Sequence, residues 1–179
     1  MASIISHAAA GAALSIALAP NGTSARYWPV AIAVAVLPDA DSLLYYFRIS
    51  YYSIGHRGFF HSPFFGLIVC FVVMALFLRK EALFSGRWFR YGSIFFLIWL
   101  SHGFLDALTN GGRGVAFLAP FSSERFFLPW TPIQVSPMRI QSFFGPRGWS
   151  VLKNEFLWIW LPGIVLVLLS RLLRPWMKS

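Results

Sequence analysis

The sequence contains a single cysteine, and this scarcity excludes two classes of structure. Cys70 has no partner within the chain, so we expect neither a disulfide framework nor a zinc site built from thiolates. Acidic residues are also few, since six Asp and Glu stand against fifteen Lys and Arg. Charged residues make up only 12% of the 179 positions, whereas hydrophobic residues make up 58%. This composition is unlike that of an ordinary soluble domain.

The excess of basic residues leaves the chain with a formal net charge of +9. Nucleic-acid binding would explain such a charge, but the sequence contains no basic face or recognised nucleic-acid motif. The basic residues stand mainly between apolar runs, as the residues that flank membrane spans do. We therefore expect one membrane-embedded domain over residues 1–179, with membrane lipids as partners and no nucleic acid. The oligomeric state stays open.

Apolar runs divide the chain, and each is close to the roughly 20 residues that a helix needs to cross a bilayer. The first run can also be interpreted as a signal peptide, but no basic segment precedes it, so we expect it to be retained. A stretch dense in Gly, Pro and aromatic residues, Thr109 to Lys153, predicts a long interfacial loop before the last run. The sequence thus predicts an all-α integral membrane protein with about five transmembrane or membrane-embedded helices. The five runs are Ile4 to Ala19, Trp28 to about Phe47, Pro63 to Leu78, Tyr91 to about Leu108, and Phe156 to Leu173.

The rare ionisable residues lie at one end of these runs. If the runs alternate in direction, every His and every Asp reaches the same face of the membrane, together with one Glu. Eight of the fifteen basic residues lie on the other face, which the positive-inside rule assigns to the cytoplasm. We therefore expect a polar site near the extracytoplasmic face. Its candidate members are His7, Asp39, Asp41, His56, His61, His102, Asp106 and Glu155.

The spacing of these residues suits a metal centre. His102 and Asp106 are four residues apart on a predicted helix, so their side chains share one face. Asp39 and Asp41 would diverge on a regular helix, but Pro38 can interrupt the helix and let both carboxylates approach one cavity. Imidazole and carboxylate ligands without thiolate suit zinc first, with manganese or iron as alternatives. We expect one to three divalent ions, with bound water whose pKa falls to roughly 7.

Each residue also has a purely structural interpretation. His7 alone can be a hydrogen-bonded residue of an apolar helix, and Asp39 and Asp41 can cap the end of a shortened helix. His56 and His61 can be interfacial loop residues. Taken together, however, these interpretations would require all His and Asp residues to lie on one side by accident. A shared metal centre explains the pattern better.

The segment His56-Arg57-Gly58-Phe59-Phe60-His61-Ser62 places two histidines beside an arginine. A guanidinium pairs with phosphate through two parallel hydrogen bonds, so Arg57 is a candidate to hold a phosphoryl substrate. We expect His61, the nearer to the third run, to be a metal ligand, and His56 to meet the substrate or a second ion. Asp39 or Asp41 is the candidate general base.

In order and spacing, these motifs resemble the bacterial membrane-bound metal-dependent hydrolases of YdjM type. The resemblance rests on His7, Pro38-Asp39-Ala40-Asp41, the His56 to Ser62 segment and Ser101 to Thr109, and it covers nearly the whole chain. It implies a metal-dependent hydrolase of the inner membrane. The order of ligands is also similar to that of zinc-dependent phospholipase C, an all-helical family that binds two or three zinc ions. That weaker similarity implies a phosphoester substrate and, as ligands, His7, Asp41, His61, His102, Asp106 and Glu155.

We therefore expect an enzyme that hydrolyses a lipid or a lipid-linked phosphoester with metal-activated water. The alternative is a divalent metal-binding or transport protein without hydrolase activity. A transport pathway requires polar groups through the whole depth of the membrane, whereas the third and fifth runs contain almost none. A membrane protein with a purely structural role is disfavoured by the clustering of His and Asp.

Overall fold

The computed structural model describes residues 1–42, 56–137 and 139–174, and within these ranges the chain is helical, with no strand. Two isolated bridges join parts of the loop region, one between Thr109 and Ile133 and one between Val115 and Phe126. The predicted all-α class is confirmed. The helices are α1 (Ile4–Leu18), α2 (Tyr27–Val36), α3 (Pro63–Phe77), α4 (Gly86–Ala107), α5 (Ile140–Phe143), α6 (Pro146–Glu155) and α7 (Leu161–Leu173). Short 3-10 turns cover Leu37–Asp41 and Phe59–His61, and a π-helical turn, Phe156–Trp160, joins α6 to α7.

Serine side chains begin three of these helices. Ser3, Ser62 and Ser85 precede α1, α3 and α4, and each hydroxyl accepts a hydrogen bond from the backbone N–H three residues later. Such caps satisfy one of the N–H groups that the first turn of a helix leaves without a partner. The apolar runs therefore become helices whose starting points are set by the polar residues at their edges.

Helices α1 to α4 form a bundle in which successive helices run in opposite directions. Its core is apolar and includes Met74, Phe95 and Ile98. Where α1 crosses α2, a Cβ atom added to Gly11 would lie only 2.3 Å from the Cβ of Ala35, so glycine permits this close approach. Helix α7 packs along α1, and the Arg174 guanidinium donates to the carbonyl oxygen of Ile16 at 2.6 Å.

One continuous helix of 28 residues, Pro146–Leu173, is long and apolar enough to cross a membrane, since 18 consecutive residues within it have a mean hydropathy of 2.1. Helices α1 and α3 are apolar but have 15 residues each, which cover about 22 Å of a hydrocarbon core that is roughly 30 Å thick. Helix α2 has 10 residues, and the end of the predicted second run, from position 43 to Phe47, lies outside the described residues. The prediction of five spanning helices is therefore not confirmed.

The outer faces of the helices are apolar. Leu76 is 72% exposed and Leu172 is 68% exposed, and none of the side chains of α7 is buried. Apolar faces of this extent are uncommon on soluble monomers and are expected where helices face lipid.

The predicted loop ends earlier than its Gly and Pro content indicated. The segment from position 146 to Lys153 belongs to α6, so the prediction of a loop there was wrong. Pro146 stands in the first turn of α6, where the backbone N–H that proline lacks would have no partner within the helix. Helix α6 buries one narrow face, which includes Val151 and Glu155. Between α4 and α5 the chain does form the predicted aromatic loop, in which Phe121 is 82% exposed.

Candidate metal centre

Seven His and Asp residues lie at one end of the four-helix bundle. His7 is in α1, the two aspartates follow α2 in a 3-10 turn, the next two histidines precede α3, and His102 and Asp106 are near the end of α4. All of them are buried, and His56 has the largest exposed fraction, 8%. The seven are His7, Asp39, Asp41, His56, His61, His102 and Asp106.

Imidazole nitrogens and carboxylate oxygens converge at the centre of this group. Asp39 Oδ1 lies 3.4 Å from His102 Nε2 and 3.8 Å from His61 Nε2. Asp106 places Oδ1 3.3 Å from His7 Nε2 and Oδ2 3.5 Å from His61 Nε2. Ligand atoms about 2.1 Å from an ion in tetrahedral coordination are roughly 3.4 Å apart, so these spacings suit a bound metal.

Asp39 carries the clearest signature of a ligand. Its carboxylate is 4% exposed, and neither oxygen accepts a hydrogen bond from the described part of the chain. Both ring nitrogens of His7 likewise lack a hydrogen-bond partner among the described residues. A buried charge without partners is costly, whereas a cation would satisfy these atoms together. The donor set therefore fits a divalent metal.

Two overlapping sets of residues can hold an ion. One consists of His7, Asp39, His102 and Asp106, and the other of Asp39, His56 and His61. Within each set, one ligand atom per residue lies within 4.8 Å of all the others. Because Asp39 belongs to both, the geometry suits either one ion or two ions that share this carboxylate.

Asp41 lies behind the two histidines of the second set. Its Oδ1 is 2.7 Å from His56 Nδ1, and its Oδ2 is 3.1 Å from His61 Nδ1. On the opposite side of the centre, His102 Nδ1 donates to the carbonyl oxygen of Ala35 at 2.8 Å. Contacts at Nδ1 of a metal-bound histidine direct its Nε2 towards the ion. Asp41, predicted as a ligand, lies outside both candidate sets, and its role as a ligand stays a prediction.

Carboxylates are the most numerous charged groups of the site. Three aspartates are buried here with one guanidinium, that of Arg57, and the N-terminal amine of Met1 also acts on Asp106. Burial lowers the pKa of His61, but the neighbouring carboxylates of Asp106, Asp39 and Asp41 outweigh it and raise that pKa well above its ordinary value. The same attraction favours a divalent cation.

Arg57 is turned towards Asp106 and the loop that follows α4. Its Nε is 3.2 Å from Asp106 Oδ2, and its Nη2 donates to Thr109 Oγ1 at 2.8 Å. Its Nη1 donates to the carbonyl oxygens of Gly111 and Arg113 at 3.1 and 2.8 Å. Arg57 is 1% exposed and is bound to Asp106 and to the loop, and its predicted contact with a phosphoryl group stays a prediction.

The backbone of Arg57 is strained, with φ at 62°, a left-handed conformation that side chains other than glycine rarely adopt. Two contacts hold it: the Arg57 N–H donates to Asp41 Oδ2 at 3.2 Å, and its carbonyl oxygen accepts from the Ala116 N–H at 3.0 Å. Strain of about 1–3 kcal/mol persists only where the surroundings enforce it, and it is concentrated at functional sites. The sequence contained no signal of this conformation.

Glu155, predicted as a metal ligand, lies outside both candidate sets. Its Oε1 accepts from the Ser3 N–H, and its Oε2 accepts from the hydroxyls of Ser3 and Ser6 at 2.5 and 2.7 Å. The Ser6 hydroxyl in turn accepts from Trp160 Nε1 at 2.8 Å. Glu155 therefore fastens the start of α1, next to His7, to the end of α6.

Comparison with known proteins places this chain in a family. Residues 1–177 match the family described as YdjM inner membrane protein. The chain belongs to this family. It is 40% identical over 174 residues to the inner membrane protein YbcI of Escherichia coli (strain K12), across 93% of this chain and 95% of that protein. No solved structure matches the chain.

Membership in the YdjM family confirms the resemblance seen in the sequence and the location of the chain in the bacterial inner membrane. It also accounts for the exposed apolar faces of α3 and α7, since helices that face lipid carry such faces. The buried His and Asp groups can hold a metal ion.

Proposed function

We propose that this YdjM family member is a metal-dependent hydrolase that cleaves a lipid or lipid-linked phosphoester near the extracytoplasmic face of the membrane. One observation carries the proposal: the Asp39 carboxylate is buried among three imidazoles and accepts no hydrogen bond from the described chain. Imidazole and carboxylate ligands favour zinc, with manganese or iron as alternatives.

The ligands of the proposed ion are His7, Asp39, His61, His102 and Asp106, whose ligand atoms face one another. A divalent ion held there supplies Lewis acidity, lowers the pKa of water towards 7 and offsets charge on phosphoryl oxygens. With His56 kept for proton transfer, these residues form a site for one ion, within the expected range of one to three.

His56 is the proposed proton carrier. It is the most exposed member of the cluster, and its Nδ1 is hydrogen bonded to Asp41, which leaves Nε2 to exchange a proton. In the proposed hydrolysis, the oxygen of water bonds to phosphorus and the ester P–O bond breaks. His56 accepts a proton from the attacking water and delivers it to the departing alcohol oxygen. Asp39, also predicted as a base, is assigned here to holding the ion.

The distribution of polar groups favours hydrolysis over transport. Ionisable ligands gather at one end of the bundle, while the described core behind them consists of apolar residues such as Met74, Phe95 and Ile98. A pathway for ions requires polar groups along the membrane depth. Metal transport is the alternative function, and the experiment below distinguishes it from hydrolysis.

The experiment combines metal analysis of purified protein with hydrolysis of phosphodiester probes and phospholipid vesicles. We expect the wild type to hold zinc and cleave a phosphoester, and His102→Ala to lose most of the metal. His56→Gln is expected to keep metal but lose at least about 100-fold in rate, since a general acid–base contributes this much. Ser101→Ala is the matched control, because its hydroxyl bonds the Ile98 carbonyl within the helix.

Undiminished metal in His102→Ala would refute the assigned centre. A wild type that binds metal but hydrolyses none of the probes would replace the hydrolase by a binding or transport function.

A further inference from the structure

A cavity of about 450 Å³ lies at the opposite end of the bundle from the aspartates. The start of α2, the end of α3 and the start of α4 enclose it. Its volume is within the range of small-molecule sites, roughly 300–1,000 Å³. Four cationic side chains and one carboxylate line it, a net charge of +3, and these are Arg26, Arg79, Lys80, Arg87 and Glu81.

One of the cations is held in position by its neighbours. Arg87 Nη1 is 2.6 Å from Glu81 Oε1, and its guanidinium carbon lies 6.0 Å from the centre of the Tyr91 ring. The Tyr91 hydroxyl is 3.1 Å from Thr23 Oγ1, and this hydrogen bond joins α4 to the segment between α1 and α2. Glu81 forms an ion pair with Arg87. Among the described residues no other carboxylate lines the cavity, so Arg26, Arg79 and Lys80 are available to an anion.

The helix termini make a smaller contribution. Helices α2 and α4 begin beside this cavity and α3 ends there, so two positive ends of helix dipoles outnumber one negative end. No side chain caps the first turn of α2, whose N-cap is Arg26. The backbone and the side chains at this end therefore favour the same ligand, a compact anion.

The surface around the cavity is apolar. Leu76, Leu83 and Phe89 are exposed and lie within two residues of its lining side chains in the sequence, in a chain whose family is one of inner membrane proteins. A ligand with a phosphate group and acyl chains would match both the charge of the cavity and these apolar side chains. Basic pockets between membrane helices bind lipid headgroups by this combination.

We propose that this basic cavity binds the phosphate group of an anionic membrane phospholipid. The site is separate from the candidate metal centre and does not depend on the proposed hydrolase activity. By the positive-inside rule, the lipid belongs to the cytoplasmic leaflet.

The test titrates detergent-purified full-length protein with phosphatidylglycerol and with phosphatidylcholine, and counts bound lipids by native mass spectrometry at physiological ionic strength. We expect one tightly bound phosphatidylglycerol. Arg26→Gln and Arg79→Gln should each weaken it about fivefold, as expected for one cation near a phosphate. Arg90→Gln is the matched control, because it removes the same charge from an exposed position of α4 that does not line the cavity, and we expect a change below twofold.

A second arm adds inorganic phosphate to the lipid complex. If millimolar phosphate displaces phosphatidylglycerol, the cavity recognises the phosphate group, and a soluble phosphate becomes the competing ligand. If the complex persists, the lipid is the ligand. Equal losses in Arg26→Gln and Arg90→Gln would overturn the proposal, as would equal binding of the two lipids. Circular dichroism and metal content at wild-type levels show that the variants are folded.

Discussion

Asp39 and Asp41 occupy the same short turn, yet their carboxylates have different partners. Asp39 faces the Nε2 atoms of His61 and His102 and accepts no hydrogen bond from the described residues, whereas Asp41 contacts Nδ1 of His56 and of His61. The imidazole of His61 thus lies between two carboxylates, with Asp39 on its Nε2 side and Asp41 on its Nδ1 side. The role of each aspartate follows from which side of that ring it meets.

Asparagine at these two positions should separate the two roles. We expect Asp39→Asn to lose most of the metal, because a charged ligand common to both sets is removed. Asp41→Asn should still bind the ion, with an affinity lower by about 10- to 100-fold, as for other residues that orient metal-bound histidines. Competition with a zinc chelator measures both values, and equal loss of metal from the two variants at saturating zinc would make Asp41 a ligand.

At the scale of elements, the packing of α3 on α4 positions the turn that carries His61. A Cβ atom at Gly66 would lie 2.3 Å from Cδ1 of Trp99. The buried Trp99 indole donates to the carbonyl oxygen of Ser62 at 3.3 Å, one residue after His61. A small residue in α3 therefore lets a large side chain of α4 reach the backbone beside a candidate ligand.

Gly66→Ala should destabilise the protein by about 1–3 kcal/mol, the usual cost of overpacking a close-packed core. Because Trp99 must move, we also expect a change in tryptophan fluorescence and weaker metal binding. Thermal unfolding in detergent measures the first effect. Gly86→Ala is the matched control: no atom lies within 4 Å of its Cβ position, so it should be neutral or stabilise by about 0.4–1 kcal/mol. A melting temperature shared by the two variants would refute the packing argument.

At the scale of the whole molecule, the four-helix bundle carries a carboxylate-rich site at one end and a basic cavity at the other. The candidate metal centre gathers aspartates Asp39, Asp41 and Asp106, and the basic cavity gathers Arg and Lys side chains. Basic loops are retained in the cytoplasm during membrane insertion. The basic residues around the cavity therefore predict that this end of the bundle lies on the cytoplasmic side.

Cysteine labelling tests this orientation, since Cys70→Ser leaves no other thiol. In that background, a membrane-impermeant maleimide added to intact spheroplasts should label Phe121→Cys but not Arg90→Cys, and both should react after lysis. Phe121 is 82% exposed in the aromatic loop, and Arg90 is exposed at the basic end. The reverse labelling pattern would place the candidate metal centre on the cytoplasmic side.

The helix boundaries show which parts of the fold the hydropathy of the sequence did not predict. Apolar runs indicated α1, α3, α4 and α7, because burial in lipid or in a core requires apolar side chains along the element. They missed α6, whose polar sequence begins at Pro146, and they made α2 too long, since α2 ends at Val36 where the Pro38 turn begins. Whether α1 and α3 cross the whole bilayer depends on their tilt and neighbours, which composition does not specify.

The amino-acid sequence by itself determined the all-α class, the location in a membrane, and the gathering of every His and Asp at one end, because these properties depend on local composition and on the alternation of the chain. Only the tertiary structure decided that Asp39 faces the imidazoles, that Arg57 is turned to Asp106, and that Glu155 binds Ser3 and Ser6. These contacts join atoms on different helices, and their distances depend on how the helices pack. Residue spacing along one chain segment carries no information about that packing.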